Sequence, residues 1–184
     1  KNTMLIHCQQ GSYFFLTILL STAELDYDQP SKTDHCGTCT ACLDQCPTNA
    51  FPAPYVLDAT KCISYLTIEH RGSIPDELKQ NMGDWVFGCD ICQDVCPWNR
   101  RGPHHSEPDF VATERLNCLD IEQLFQSNED SFRISYRHTP LWRTKRDGLL
   151  RNAAIALGNQ LAVEHLDILK DALQVESPSV QDAC

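Results

Sequence analysis

Apolar residues run almost unbroken from Tyr13 to Leu20, with only Thr17 interrupting, a density that predicts a buried strand. The run is far short of the roughly 20 apolar residues that a membrane-spanning helix needs. Acidic Glu24, Asp26 and Asp28 come next and lead into Pro30, so residues 1–28 read as the tail of a larger domain. Between Cys36 and Cys96 the chain is cut by Pro47, Pro52, Pro54, Pro75 and Pro97, which leaves room only for short elements. One of these is a helix start at Ser73-Ile74-Pro75-Asp76-Glu77, with the cap near Ser73 or Ile74, proline in the first turn and acids behind it. Residues 100–109 form a polar linker.

Beyond Phe110 the spacing turns helical. Leu116, Leu119, Ile121, Leu124 and Phe125 approximate one apolar face, and Asp120 is placed to cap the helical segment after it. An alanine-rich helix is predicted from Leu149 to a stop at Gly158, another over Val163 to Leu173, and a third begins at Ser177-Pro178. Arg151-Asn152-Ala153-Ala154 aligns with Gln181-Asp182-Ala183-Cys184 at an offset of 30 residues. Such an offset suits stacked helix pairs of a HEAT-like solenoid, with an ordinary helical bundle and a chance match as the alternative. The division expected is residues 1–28, then 29–100, then a helical 101–184.

At 184 residues the chain is long enough for one or two small domains with a real core. Its net charge of −10 excludes binding to nucleic acid through overall charge, although not through a local basic patch. The chain begins at Lys1 without a signal-peptide pattern and stops at Cys184 within a helix start, so a fragment cut at both ends is expected.

The unusual count is eleven cysteines, an odd number, so some thiols do something other than pair. Cys36, Cys39, Cys42 and Cys46-Pro47 form an unbroken C-x2-C-x2-C-x3-C-P run, the pattern of bacterial dicluster ferredoxins. Cysteines three apart on a tight loop bring soft thiolates to three corners of an iron–sulfide cube. The small residues Gly37, Thr38, Thr40 and Ala41 permit the close approach. In this motif the fourth cysteine serves the neighbouring cluster, which requires a second motif. Cys89, Cys92 and Cys96-Pro97 supply its last three positions, and its first is displaced to Cys62 by 26 inserted residues. One [4Fe–4S] cluster is therefore assigned to Cys36, Cys39, Cys42 and Cys96, the other to Cys46, Cys62, Cys89 and Cys92. Structural zinc and disulfides are the alternatives. Cys8, Cys118 and Cys184 read as isolated thiols, His104-His105 as a solvated loop, and Tyr13, Phe14 and Phe15 as core.

These residues resemble the epoxyqueuosine reductases of tRNA modification. The resemblance is carried by Lys1-Asn2-Thr3, Gly11 to Leu16, Thr33 to Gly37, Ala53 to Asp58, Cys62 to Glu69 and Cys96-Pro97-Trp98-Asn99. It continues through Thr139-Pro140 and Gly148 to Ala154. It implies an α+β chain: the tail of a cobalamin-binding α/β domain, a ferredoxin-like dicluster module, then HEAT-like helices. It further implies two [4Fe–4S] clusters passing electrons to cobalamin, which removes the epoxide oxygen of epoxyqueuosine in tRNA. The proton-donating acid would lie upstream of Lys1, so residues 1–184 are expected to be inactive alone. Thr3, Phe14 and Ser64 would contact cobalamin, which moves Phe14 from core to contact. A low-potential electron donor, a monomeric state and a cytoplasmic location complete the expectation. A plain dicluster electron-transfer module, a reductive dehalogenase relative and a cluster-bearing helical scaffold are the competing readings.

Between Arg133 and Arg151, six basic side chains face Asp147 alone. This island, with Tyr136, His138 and Trp142 interleaved, is read as tRNA contact through Arg143, Lys145, Arg146 and Arg151, against a solvated helix face as the bland alternative.

Overall fold

The computed structural model describes residues 1–30, 36–102, 107–108, 111 and 119–184. Thr33 to His35, the His104-His105 loop, Leu116 and Cys118 lie outside the described residues. Nine α-helices are described: α1 Ala41–Asp44, α2 Ile63–Ile68, α3 Asp76–Lys79, α4 Ile91–Asp94, α5 Ile121–Gln126, α6 Glu129–Tyr136, α7 Lys145–Gln160, α8 Leu166–Val175 and α9 Pro178–Gln181.

No strand is described, only the isolated bridges His7–Gly11 and Ala53–Val56, so the expected α+β class gives way to a helical chain among the described residues. The predicted strand over Tyr13 to Leu20 is irregular and exposed, with Ile18, Leu19 and Leu20 each near 90% accessible. A strand holds its form by pairing with a neighbour, and no strand ladder is described over this run. What does hold the N-terminal segment is polar. Asn2, buried, donates to the Cys92 carbonyl at 3.1 Å. The Ser12 amide donates to Asn99 Oδ1 at 2.6 Å, and the Ser12 hydroxyl donates to Gln93 Oε1 at 2.9 Å. Gly11 turns this strap at φ 73°, and a Cβ there would stand 2.1 Å from Asn99 Oδ1, so only glycine fits.

Helix starts track their caps. Asp120 accepts from the Gln123 amide, as predicted, and Asn128 forms a reciprocal capping box with Ser131. α3 starts one or two residues later than expected, with Pro75 itself at the cap. Gly158 does not stop α7. The helix runs two residues further and ends where Leu161 enters the left-handed region at φ 52°, with Ala162 N–H bonded back to Leu157 and Leu161 N–H to Gly158.

α7 is the wall shared by the two halves of the core. Leu149, Leu150 and Ala153 pack with Leu124, Phe132, Ala172 and Val180, whereas Ile155 packs with Ile63, Leu66, Ile74 and Met82 from the Cys62–Cys89 insertion. From Gly148 to Leu157 every residue of α7 is buried, Arg151 and Asn152 included. The helical part is thus bonded into the cysteine block across the predicted boundary at residue 100.

Candidate metal centre

The two C-x2-C-x3-C-P segments fold alike. In each, a single helical turn, α1 or α4, carries the second cysteine of the C-x2-C pair, Cys42 or Cys92, and precedes the last cysteine. The residues before them, Thr40 (φ −124°, ψ 6°) and Asp90 (φ −112°, ψ 10°), share one conformation, and α1 packs on α4. This local likeness, 50 residues apart, brings cysteines from both segments to common ground. Cys36, Cys39, Cys42 and Cys96 line one cavity of about 350 Å³, together with Lys1, Asn2, Ile6, Trp98 and Arg100. Cys96 is buried, and Cys39 is exposed at the rim.

The remaining four thiols are electrostatic neighbours. Burial pushes the Cys92 thiol up to about 12, with Cys62, Cys89, Cys42 and Cys46 adding like charge. Burial also raises Cys89, with Cys62 and Cys46 as neighbours, while an N–H from Ile91 acts in the opposite sense. That Cys42 acts on Cys92 sets the two groups of thiols side by side. No disulfide joins any described cysteine.

Cys46 and Cys62 are tied through the backbone between them. The Ala50 amide donates to Cys46 Sγ at 3.3 Å, and the Ala50 carbonyl accepts from the Asp58 amide at 2.8 Å. Asp58 then caps the short 3-10 turn Ala59–Lys61, accepting from the Thr60 amide and hydroxyl, and Cys62 sits beyond that turn as the first residue outside α2.

Of the residues read as cobalamin contacts, Thr3 and Phe14 are exposed on the N-terminal strap and Ser64 is half-buried in the first turn of α2. None of the three lines the thiol cavity. Asn2 and Ile6, beside Thr3, do. Cys8 lies exposed, and Cys184 is half-buried against the helical core.

The basic island divides. Arg151 is a correction to the tRNA reading, because it is 1% exposed and its guanidinium is filled from inside the protein. It donates to the carbonyls of Leu66 (2.7 Å), Gly72 (2.7 Å) and His70 (3.1 Å), and to Asn152 Oδ1. Burial and nearby Arg71 draw its pKa down to about 10, which still leaves it charged at neutral pH. Arg146 is a second correction. It grips Glu176 through two 2.7 Å bonds and caps the Ser127 carbonyl, with only a tenth of its side chain exposed. Its charge is engaged by the protein rather than by phosphate.

Arg143 and Lys145 stay at the surface. Arg143 pairs with Glu69 at 2.6 Å, and Lys145 lies over the Trp142 ring at 4.1 Å. Trp142 also stacks on buried Phe132, 5.9 Å between centroids, so the ring is partly committed to the core. Residues that sequence reasoning missed are Asn2, Arg100 and Ser12 around the thiols, and Thr67 and Asn152 beneath the insertion. The one forewarning was that Asn2, Ser12, Thr67 and Asn152 all fall within the stretches that carry the family resemblance.

Comparison with known proteins agrees with this geometry. Residues 35–99 match the family model of a 4Fe-4S double cluster binding domain. The epoxyqueuosine reductase of Cellulophaga algicola is 47% identical over 152 residues, which is 83% of this chain and 49% of that protein. That of Escherichia coli K12 is 42% identical over 159 residues, 86% of this chain and 42% of that one. Among solved structures, the epoxyqueuosine reductase of Bacillus subtilis superimposes with a TM-score of 0.87 at 31% identity, over 97% of this chain and 48% of its own. An epoxyqueuosine reductase crystallised with an epoxyqueuosine-modified tRNA-Tyr stem loop superimposes with a TM-score of 0.82 at 29% identity, over 98% of this chain and 48% of that chain. The chain spans about half the length of the relatives it matches. By sequence and by fold, over that half, this chain is similar to the epoxyqueuosine reductases.

Proposed function

We propose that this chain is the iron–sulfur and helical portion of an enzyme that reduces epoxyqueuosine to queuosine in tRNA. The observation that carries the reading is the convergence of Cys36, Cys39, Cys42 and Cys96, from two segments 50 residues apart, around one cavity. It occurs in a chain whose relatives bear that enzyme's name. Cys46, Cys62, Cys89 and Cys92 form the second ligand set of the reading. The donors fit iron–sulfur cubes, being soft thiols around a space larger than one ion. Among the described residues no group of three His, Cys, Asp or Glu side chains is close enough to hold a single metal ion.

When bound, two [4Fe–4S] clusters would supply electrons one at a time, and a cobalamin would supply a reducible cobalt centre for the reduction of the epoxide. The protein's share is to hold and tune. The Ala50 amide N–H is aimed at Cys46 Sγ, that of Ile91 favours the thiolate form of Cys89, and Lys1 and Arg100 set positive charge at the first cavity.

In this reading residues 1–28 are the end of the cobalamin-binding domain, 29–100 the dicluster module, and 101–184 HEAT-like helices. Thr3, Phe14 and Ser64 touch the corrin, helped by the exposed apolar run behind Phe14. The packing of Ala183 and Cys184 into the cluster of Ala154 and Leu157 supports helix stacking at the 30-residue offset. The tRNA is contacted through Arg143 and Lys145, joined by exposed Arg133 and Arg137, beside a groove lined by Glu69, Phe87, Thr139 and Trp142. An external low-potential donor, a monomeric state and a cytoplasmic location belong to the same reading. Among the described residues no helix is long and apolar enough to cross a membrane.

The test is turnover. The full-length protein that contains this chain, supplied with cobalamin and a reductant, should convert epoxyqueuosine in tRNA to queuosine, read by mass spectrometry of the nucleosides. Absence of queuosine with both clusters and cobalamin loaded would overturn the assignment.

A further inference from the structure

The insertion that separates Cys62 from Cys89 is 26 residues long, and between α2 and Cys89 it contains only α3 and short turns. Nothing local in such a loop sets the distance between its ends. Yet both ends carry thiols of the second group, and a cube of fixed size tolerates one spacing.

Two buried side chains bind both ends. Thr67, in the helix that starts next to Cys62, donates its hydroxyl to the Ile63 carbonyl at 2.7 Å, one turn back toward Cys62. The same oxygen accepts the N–H of Gly88 at 3.0 Å, the residue immediately before Cys89. Asn152 repeats the link from α7. Its Nδ2 donates to the Thr67 carbonyl at 2.8 Å and to the Val86 carbonyl at 2.9 Å. Thr144 Oγ1 adds a bond to the Thr67 carbonyl at 3.2 Å. Both Thr67 and Asn152 are fully buried.

We infer that Thr67 and Asn152 are positioning residues for the second cluster, fixing the separation of Cys62 from the Cys89–Cys92 turn before metal arrives. This rests on the reading of Cys46, Cys62, Cys89 and Cys92 as one ligand set. Closing a long loop costs conformational entropy, and a preset spacing removes that cost from cluster assembly. A hydroxyl that donates and accepts is needed at 67, and an amide with two N–H donors at 152. The first ligand set does not depend on this latch. Cys36, Cys39 and Cys42 lie on one contiguous seven-residue stretch, and the Cys96 turn is held separately by Asn99 Nδ2 on the Gln93 carbonyl at 2.7 Å. The helical half therefore reaches the second ligand set through Asn152, while leaving the first to the N-terminal strap.

The experiment compares Thr67→Val, Asn152→Leu and Thr67→Ser in residues 1–184 after anaerobic reconstitution. Leu124→Ala serves as a core truncation remote from the latch. Thr67→Val and Asn152→Leu should bind roughly half the iron of the parent chain, with the cluster–cluster coupling gone from the reduced EPR spectrum. Thr67→Ser, which keeps the hydroxyl, should restore both. Leu124→Ala should lower Tm but retain full iron. The inference is overturned if folded Thr67→Val and Asn152→Leu keep full iron and a coupled spectrum. It is equally overturned if every variant loses iron from both sites in proportion to its loss of Tm. A parent chain that itself holds roughly four irons overturns the ligand reading first, and this inference with it.

Discussion

Arg151 donates through Nη2 to the carbonyl of Leu66 at 2.7 Å, closing the C-terminal end of the helix whose N-terminal neighbour is Cys62. A cation at a helix C-terminus is favourable on dipole grounds. Here it also bonds the Gly72 and His70 carbonyls, so one side chain from α7 holds the end of α2 and the loop that follows it.

Replacing Arg151 should therefore act on stability. Arg151→Ala strands the buried Leu66 carbonyl, at about 1–3 kcal/mol, and leaves the more accessible His70 and Gly72 carbonyls to water, so a loss of about 1–3 kcal/mol is expected from urea melts. Arg151→Lys keeps the charge but lacks the planar fork that reaches all three, so its midpoint should fall between the two. An Arg151→Ala midpoint equal to the parent's would show that the guanidinium is not structural.

The cysteine frame was legible because its information is local. Spacing of three and four residues dictates which thiols lie close together, and the same arithmetic proposes Cys62 as a displaced first position. The role of Arg151 was not legible. A buried arginine looks like any basic residue in sequence, and its carbonyl partners lie about 80 positions earlier. Counting charge from Arg133 to Arg151 thus overstated the surface patch by two, since Arg146 had also found Glu176. The apolar run from Tyr13 misled for the opposite reason: a strand pattern states what a segment would do if paired, and pairing is tertiary. Gly158 misled because a helix ends where the next residue can turn left-handed, and Leu161 does so without glycine.

The surface charges that remain should control tRNA affinity. In the full-length protein, Lys145→Ala with Arg143→Ala should weaken tRNA binding. The log–log salt slope should fall by up to about 0.7–0.9 for each phosphate no longer neutralised. Arg146→Ala should lower Tm without changing that slope. An unaltered slope in the Arg143, Lys145 double variant would move the tRNA elsewhere.

The Lys79–Asp182 bridge gives a pH signature. Asp182 accepts from Lys79 at 2.9 Å, and this bond holds its carboxyl below the usual carboxylate range. A carboxyl with a lowered folded-state pKa contributes stability above its unfolded pKa and loses it as pH falls through the folded value. Asp182→Asn should therefore melt below the parent at neutral pH, with the gap closing in acid. Because Asp182 is about half exposed, the gap should be modest and should shrink in high salt. A gap that widens in acid would contradict the sign.

Crossed ligation makes a separate claim about Cys96. It sits one turn beyond Cys92 yet lines the cavity of Cys36, Cys39 and Cys42. Cys96→Ala should perturb the cluster of that cavity and leave the Cys62 cluster less affected in Mössbauer and reduced EPR spectra. Damage confined to the Cys62 cluster would reverse the wiring.

The most direct measurement is the iron and acid-labile sulfide content of residues 1–184 reconstituted without oxygen. Two cubes on eight cysteines predict roughly eight irons and eight sulfides per chain, with two interacting clusters in the reduced EPR spectrum. Roughly four irons, or stoichiometric zinc after native purification, would contradict the account.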